Sequence, residues 1–572
     1  MIPLARISAK SVLLILCALL ILSVALRYPL VDHERQQTDS YFIHMLAGSI
    51  VDDGYAKWVF NPLSWLGYYP FSYPSGVPFL LSEASMMMGL PVETTILVTN
   101  MVLASLFCLT MFMLARSFVM RPELVLLAVS LAVVGARFVD TTYWNASARG
   151  PTVVLIALVI AVLLQARPGS NPAYYLVGLF LGAGCFFCHH MAVLLVPFGG
   201  AYVMGVLQTQ YLFKAHSHHK RMLVVASSTA AFAAVVAGAF FVSDFFAKLL
   251  IANLGSTWLF DLEPQSLSVL VNVIAAYTNQ IGFVFLAVLV GLPFILKYER
   301  LEARTMFLVN SMVVFVPLLG NQLYVSMLLA PVVVILGITF IGGLRTRVKR
   351  PALATLLAVL LIVSSTVLPV WSTARWNSVV YSSGDTVDVG TDLYRDATYL
   401  RYDSWDGYVI TNNMIIPSQM TANSGVGFLA ADISLPINDE VTPEDVRENV
   451  MWSESSFPMN LYKWFQYEDP PDPDYYIKVL MVNGVVVIGE TGTSAEVRGY
   501  FQEHPKLLVL VDNGWDGTYV DSFTKRDAVF LEEIESCHSI SVPDDYGPWT
   551  LQSYSFYESE RSTLYLVCLY PS

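Results

Sequence analysis

Long apolar runs separated by short polar or basic joints fill the first two thirds of the chain. A hydrocarbon core of about 30 Å takes about 20 apolar residues as helix. Runs of that kind fall at 11–30, 92–115, 123–139, 151–166, 173–188, 190–212, 222–243, 267–296, 305–319, 323–344 and 352–371. The pattern therefore predicts a multi-pass α-helical membrane domain over residues 1–371, with about 11 spans. The run 74–90 is apolar but short and begins with prolines. It reads as a helix lying on or dipping into the membrane surface, with a twelfth span as the alternative.

From residue 372 the period changes. Tyr476–Leu480 runs into Gly484–Gly489 as a buried-strand signal, Ser494–His504 reads as a short helix, and Leu507–Val511 as another strand. That β-α-β order predicts a small α/β domain over 372–572, and the alternation from Thr550 to Val567 adds further strands. Pro470-Pro471-Asp472-Pro473 reads as a turn or linker.

Composition sharpens this division. The 572 residues are 55% hydrophobic and 13% charged, with a mean hydropathy of +0.57, whereas soluble domains carry roughly 25% charged residues. The net charge of −13 is uneven: residues 1–371 hold 14 acids and 21 bases, and residues 372–572 hold 31 acids and 11 bases. One part suits a lipid bilayer and the other suits water. An acidic surface excludes nucleic acid as a partner, since that needs a basic one.

Basic residues of short loops stay cytoplasmic. With the N-terminus inside, 15 of the 21 bases fall on that side, from Arg6 and Lys10 to Arg345, Arg347, Lys349 and Arg350. The loop 31–91, the segments 140–150, 244–266 and 319–322, and the acidic domain are then extracytoplasmic. The N-terminal run lacks a clear small-residue cleavage site and reads as an uncleaved first span. Cys17, Cys108, Cys185 and Cys188 fall in apolar runs, and only Cys537 and Cys568 lie in the acidic part. Their separation leaves pairing open.

A long polar loop after the first span is not needed for insertion, so its contents call for a reason. It carries Asp39-Ser40-Tyr41-Phe42-Ile43-His44, then Asp52-Asp53-Gly54, then Tyr73-Pro74-Ser75-Gly76-Val77-Pro78. A carboxylate facing a cavity at the membrane surface binds a divalent ion through oxygen or acts as a general base. A solvated surface charge is the plainer alternative. Cys185-x2-Cys188-His189-His190 closes another apolar run. It suits a zinc site, a histidine facing phosphate or sugar, or a hydrogen-bonded helix end. No Gly-x4-Gly-Lys loop, nucleophile elbow or dinucleotide fingerprint occurs.

The loop motifs resemble the first external loop of GT-C membrane glycosyltransferases, most closely the catalytic subunits of archaeal and bacterial oligosaccharyltransferases. In architecture the resemblance covers about residues 1–345. It implies that Asp39 is catalytic, activating the acceptor or holding a divalent cation (magnesium or manganese), and that the donor is a polyprenyl-phosphate-linked sugar. Asp140 matches one acid of that family's second acidic motif and would share the cation; Thr141 and Thr142 stand where the second acid is expected. His44, Arg149, His189 and His190 are the candidate substrate contacts, Arg149 because a guanidinium forks onto phosphate oxygens. The family also places an arginine near Asn321-Gln322, and this chain has none there. Ser404-Trp405-Asp406-Gly407-Tyr408 is a degenerate match to the WWDYG acceptor-recognition motif, which makes Trp405 and Asp406 candidate acceptor contacts.

Two readings follow. The first is a membrane glycosyltransferase moving a sugar or oligosaccharide from a polyprenyl-phosphate-linked donor to a protein or glycan acceptor on the extracytoplasmic face. The second is a non-catalytic relative of the same fold that binds lipid-linked glycans or acts as a scaffold. The predicted orientation rests on the sorting of basic residues. Cysteines placed at Ser217 and Ser494 report it: position 217 should be labelled from the cytoplasmic side and position 494 from the outside. Cytoplasmic labelling at 494 contradicts the topology.

Overall fold

The structure, a computed structural model, describes residues 7–29, 34, 38–55, 59–60, 68–69, 76–119, 121–165, 171–212, 218–242, 274–275, 277–298, 302–315, 325–347 and 351–382, and ten strands within the chain. In chain order the helices are α1 (Ala9–Ala25), α2 (Thr38–Asp53), α3 (Gly76–Met88), α4 (Val92–Phe118), α5 (Pro122–Val133), α6 (Ala136–Thr141), α7 (Arg149–Leu163), α8 (Ala173–Cys188), α9 (Leu195–Leu207), α10 (His218–Val242), α11 (Val284–Tyr298), α12 (Ala303–Val314), α13 (Val325–Arg347) and α14 (Pro351–Ser382). Each of the eleven apolar runs overlaps one of these helices. Among the described residues, three helical stretches are long and apolar enough to cross a membrane: Val92–Phe118, Met191–Gln210 and Val325–Gly343. The chain divides into two compact units, one of residues 1–30 and 98–379, the other of residues 31–97 and 380–572.

The first unit is helical and is built around α13. Val325, Met327, Leu328, Leu329, Val332 to Leu336 and Ile338 are all buried. A helix that is apolar all round belongs at the centre of such an assembly. It packs against α5 and α11, while α12 packs against α9 and α10, and α7 against α8. Without a strong hydrophobic force between helices in lipid, close backbone approach and hydrogen bonds hold them together. At Gly205 of α9, an added Cβ would sit 2.9 Å from the Ala303 carbonyl and 3.1 Å from the Phe307 nitrogen, so α12 admits only glycine there. On the outside, Leu14, Leu179 and Phe180 are largely exposed, an apolar surface that suits lipid rather than water.

Several polar groups inside this unit are matched with one another. The Thr229 hydroxyl donates to Asn310 Oδ1 at 2.7 Å, Asn310 Nδ2 donates to Gln208 Oε1 at 3.0 Å, and Gln208 Nε2 donates to Thr229 Oγ1 at 3.0 Å. The closed triangle links α10, α12 and the wide helical turn Gln208–Leu212 that follows α9. Arg304 donates from Nη1 to the Ser117 carbonyl at 2.7 Å and from Nη2 to the Leu164 carbonyl at 3.1 Å. A cation at the ends of α4 and α7 satisfies carbonyls that helices leave unpaired and complements the dipoles.

The second unit holds α2, α3 and the strands. At 13 residues, α3 rises only about 20 Å. The run 74–90 therefore forms a short helix packed on α2. Gly54 and Gly89, with φ of +75° and +65°, follow the last residues of α2 and α3; that left-handed turn is how glycine ends a helix.

The strands are β1 (Val59–Phe60), β2 (Tyr68–Tyr69), β3 (Tyr408–Thr411), β4 (Gly427–Ala430), β5 (Val479–Val482), β6 (Val485–Ile488), β7 (Lys506–Asp512), β8 (Ile540–Ser541), β9 (Trp549–Glu558) and β10 (Ser562–Pro571). Six of them form one mixed sheet in the order β4-β3-β7-β10-β9-β8. β3 runs parallel to β4 and β7, and the remaining pairs are antiparallel. β6 and β7, the strands that flank the expected helix of the β-α-β order, lie in different sheets. β5 and β6 pair antiparallel with each other. Only Asn483 and Gly484 separate them, the sequence that most favours a two-residue hairpin. The helix expected at 494–504 lies outside the described residues.

The Gln208–Thr229–Asn310 triangle generates a stability prediction. Asn310→Leu leaves the other two groups short of a partner inside the unit and should cost about 1–3 kcal/mol, read as a lower thermal midpoint in detergent. An unchanged midpoint contradicts a holding role for the triangle.

Candidate functional site

Asp39 is the second residue of α2, a position where the unpaired N–H groups of a helix start favour a carboxylate. The next turn of that helix is fixed by a residue that motif reading passes over. Glu34 is fully buried, as is Ser40, and His44 is nearly so. His44 Nδ1 donates to Glu34 Oε2 at 2.6 Å, and the Ser40 hydroxyl donates to Oε1. Ser40 and His44 are four residues apart, so they lie on one face of the helix. The Tyr41 hydroxyl reaches the Glu34 carbonyl at 3.4 Å, and the Glu34 N–H donates to Glu93 Oε1 at 2.9 Å in the first turn of α4. Two fixed points of α2, immediately after Asp39 and four residues further on, are thus tied to one carboxylate. His44, a candidate substrate contact from its sequence, has its Nδ1 engaged by this acid.

Asp140, Arg149, His189 and His190 lie in the first unit. Thr141 to Ala148 are all buried, so the segment 140–150 is part of the packed unit rather than a solvated loop. Its fixed points are numerous. Asn100 Nδ2 donates to the Asn145 carbonyl at 2.9 Å, the Ser147 N–H donates to the same carbonyl at 3.0 Å, and the Arg149 N–H donates to Ser147 Oγ at 3.3 Å. Trp144 sits at φ +41°, a left-handed conformation that costs a bulky residue energy and is held here by surrounding contacts. Asp140 is half-buried near the end of α6, and Arg149 is half-buried at the start of α7. Gly150 is pressed against Thr142: an added Cβ would meet the Thr142 methyl at 2.9 Å.

A second missed residue holds this segment. Arg27, fully buried, follows α1. Nε donates to Thr142 Oγ1 at 2.9 Å, Nη1 donates to the Ser23 carbonyl at 2.8 Å, and the guanidinium lies 5.0 Å from the Phe138 ring centroid. The contact with Phe138 is an attraction between a cation and the face of an aromatic ring. Nη2 is buried with no hydrogen-bond partner among the described residues. The signal for Arg27 was present in the sequence, since a charge inside an apolar run marks either a helix end or a function. Glu34 gave no such signal, because it lies among charged and polar neighbours.

His189 ends α8, is buried, and accepts the Met191 N–H on Nδ1 at 3.0 Å. The neutral ring therefore carries its proton on Nε2. His190 begins the tight turn His190–Leu194. Cys185 and Cys188 are buried free thiols. Among the described residues no three histidine, cysteine or acidic side chains come together as a metal site. Asp39 and Asp140 belong to different units. Trp405, Asp406, Asn321, Gln322 and Tyr73 to Ser75 lie outside the described residues; β3 begins at Tyr408.

No protein-family model matches the chain, and no curated sequence matches it. Solved structures do. The oligosaccharyltransferase of Archaeoglobus fulgidus in its apo form superposes with a TM-score of 0.51 at 12% identity, over 74% of this chain and 64% of that one. The same enzyme in complex with zinc and sulfate gives 0.52 at 12% identity, over 96% of this chain and 72% of that one. ArnT from Cupriavidus metallidurans bound to undecaprenyl phosphate gives 0.50 at 9% identity, over 98% of both chains. The chain thus spans about two thirds of the length of the oligosaccharyltransferase. It has the fold of the GT-C membrane glycosyltransferases, as its loop motifs imply.

Proposed function

We propose that the protein is a membrane glycosyltransferase. It moves a sugar or oligosaccharide from a polyprenyl-phosphate-linked donor to a protein or glycan acceptor on the extracytoplasmic face. The observation that carries this reading is the coincidence of the fold with an acid at the start of α2, the first helix after the first apolar helix. The reading is supported by the solved relatives: one was captured with an acceptor peptide and another with undecaprenyl phosphate. A fold alone does not fix a reaction, so the chemistry is argued from residues.

In the proposed reaction the acceptor atom forms a bond to the anomeric carbon of the donor sugar. The bond from that carbon to the phosphate oxygen breaks, the electron pair leaves with the lipid phosphate, and the acceptor proton is taken up by a base. Asp39 is proposed as that base. A divalent cation, magnesium or manganese, would supply charge for the leaving phosphate when held at Asp39. Asp140 is the second ligand that the resemblance names. Arg149 is proposed to meet phosphate at the start of α7, where backbone N–H groups and the helix dipole also favour an anion. His189 and His190 are proposed to face the sugar or its phosphate. Trp405 and Asp406 are proposed to meet the acceptor.

The specific test is Asp39→Asn, which keeps shape and removes charge. Turnover of a lipid-linked sugar should fall about 10²–10⁴-fold, the range for a lost general base, with membrane insertion unchanged. Asp52→Asn and Asp53→Asn, at the other end of α2, should do less. Unchanged turnover in Asp39→Asn contradicts the mechanism. Absence of turnover in the parent protein favours the non-catalytic, glycan-binding reading.

A further inference from the structure

The transferase reading gives Asp39 a task but does not say what holds it in place. A residue at the second position of a helix has almost no helix before it. Its direction depends on how that first turn is anchored. In most proteins a side chain at the helix start does this by capping the free N–H groups. Here a further anchor is present. It is an acid from the preceding segment, buried from solvent, gripping the next turn of the helix by its side chains.

We propose that Glu34 is a positioning residue that fixes the start of α2 and, through it, the placement of Asp39. The proposal rests on the transferase reading above. Three observations carry it. First, Glu34 is fully buried, and a carboxylate taken out of water is tolerated only when it is hydrogen-bonded or paired. Its partners are Ser40 on one oxygen and His44 on the other. Second, those partners sit on one face of α2 and one of them adjoins Asp39 in sequence, so that the acid resists both rotation and sliding of the helix start. Third, Glu34 is itself held from a separate element: its N–H donates to Glu93 of α4, and its carbonyl accepts the Tyr41 hydroxyl. The chain Glu93–Glu34–Ser40/His44 links the first turn of α4 to the first two turns of α2 through polar contacts that are buried at Ser40 and His44 and part-buried at Glu93. Such networks hold one geometry when every member is satisfied. Catalytic groups need this support, because a small misplacement costs rate without loss of the group itself.

This assigns His44 and Ser40 as well. His44 is then part of the support and not a contact for the sugar. Glu93, at the far end of the link, fixes the height of Glu34 and has no part in the chemistry.

Two measurements on the full-length protein in detergent or proteoliposomes test the proposal. The first is hydrogen–deuterium exchange in Glu34→Ala and, as the milder change, Ser40→Ala. Loss of a hydrogen bond to a charged group should make the amides of residues 38–50 exchange on the order of tenfold faster, while those of α13 keep their parent rates. Unchanged exchange in 38–50, or an equal acceleration in α13, overturns the proposal. The second is a kinetic cycle with Asp39→Asn. Glu34→Ala alone should lower kcat on the order of 10–100-fold, as losses of supporting groups do, with the KM for the lipid-linked donor little changed. In the Asp39→Asn background Glu34→Ala should add no further loss, since a misplaced group and a missing one are equivalent. An additive loss overturns the proposal and leaves Asp39 in place. If the parent protein turns over no lipid-linked sugar, the transferase reading fails, and the exchange measurement alone decides whether Glu34 anchors α2.

Discussion

A polar group carried into the apolar interior of this chain must find its partner within the protein, because little water is there to replace one. The described structure meets this demand repeatedly. Gln208, Thr229 and Asn310 close on one another, Arg304 spans the ends of two helices, Arg27 fastens the end of α1 to Thr142, and Glu34 gathers Ser40 and His44. Apolar packing around α13 brings the helices of the first unit together, and these few polar ties set their rotation and height. The same rule governs the start of α2, where the one fully buried acid among the described residues precedes the proposed catalytic aspartate by five residues.

The parts of the fold that depend on local pattern were legible in the sequence. Length and hydropathy placed the apolar helices, and the proline-led run at 74–90 contains the short helix α3. The parts that depend on distant pairing were not. β3 and β7 are nearly a hundred residues apart and pair in parallel, which periodicity does not encode. β5 and β6 pair antiparallel, and the Asn483-Gly484 between them in sequence is a strong hairpin signal; the helix of the expected β-α-β unit lies outside the described residues.

The candidate site divides the same way. Asp39, Asp140 and Arg149 stand out because their residue types fit phosphate and proton chemistry, and the structure puts each at or near a helix end. What the residue types could not tell is which side chains are consumed by support. His44 looks like a ligand in sequence and is tied to Glu34; Arg27 looks like part of a span and is the clamp on the second candidate segment. Distinguishing support from chemistry required the three-dimensional partners, since the same residue types serve both. Thr142 illustrates the point. It stands where the resemblance expects an acid, and its hydroxyl accepts from Arg27 while donating to the Phe138 carbonyl. A hydroxyl can do both at once, and a carboxylate cannot donate.

The account's central claim is that this fold, with Asp39 at the head of α2, breaks the bond between a sugar and a polyprenyl phosphate. The direct measurement is incubation of the purified protein with polyprenyl-phosphate-linked sugars and mass spectrometry of the lipid fraction. The account predicts that free polyprenyl phosphate accumulates together with glycosylated acceptor. Recovery of the lipid-linked sugar intact, across donors and acceptors, would contradict it.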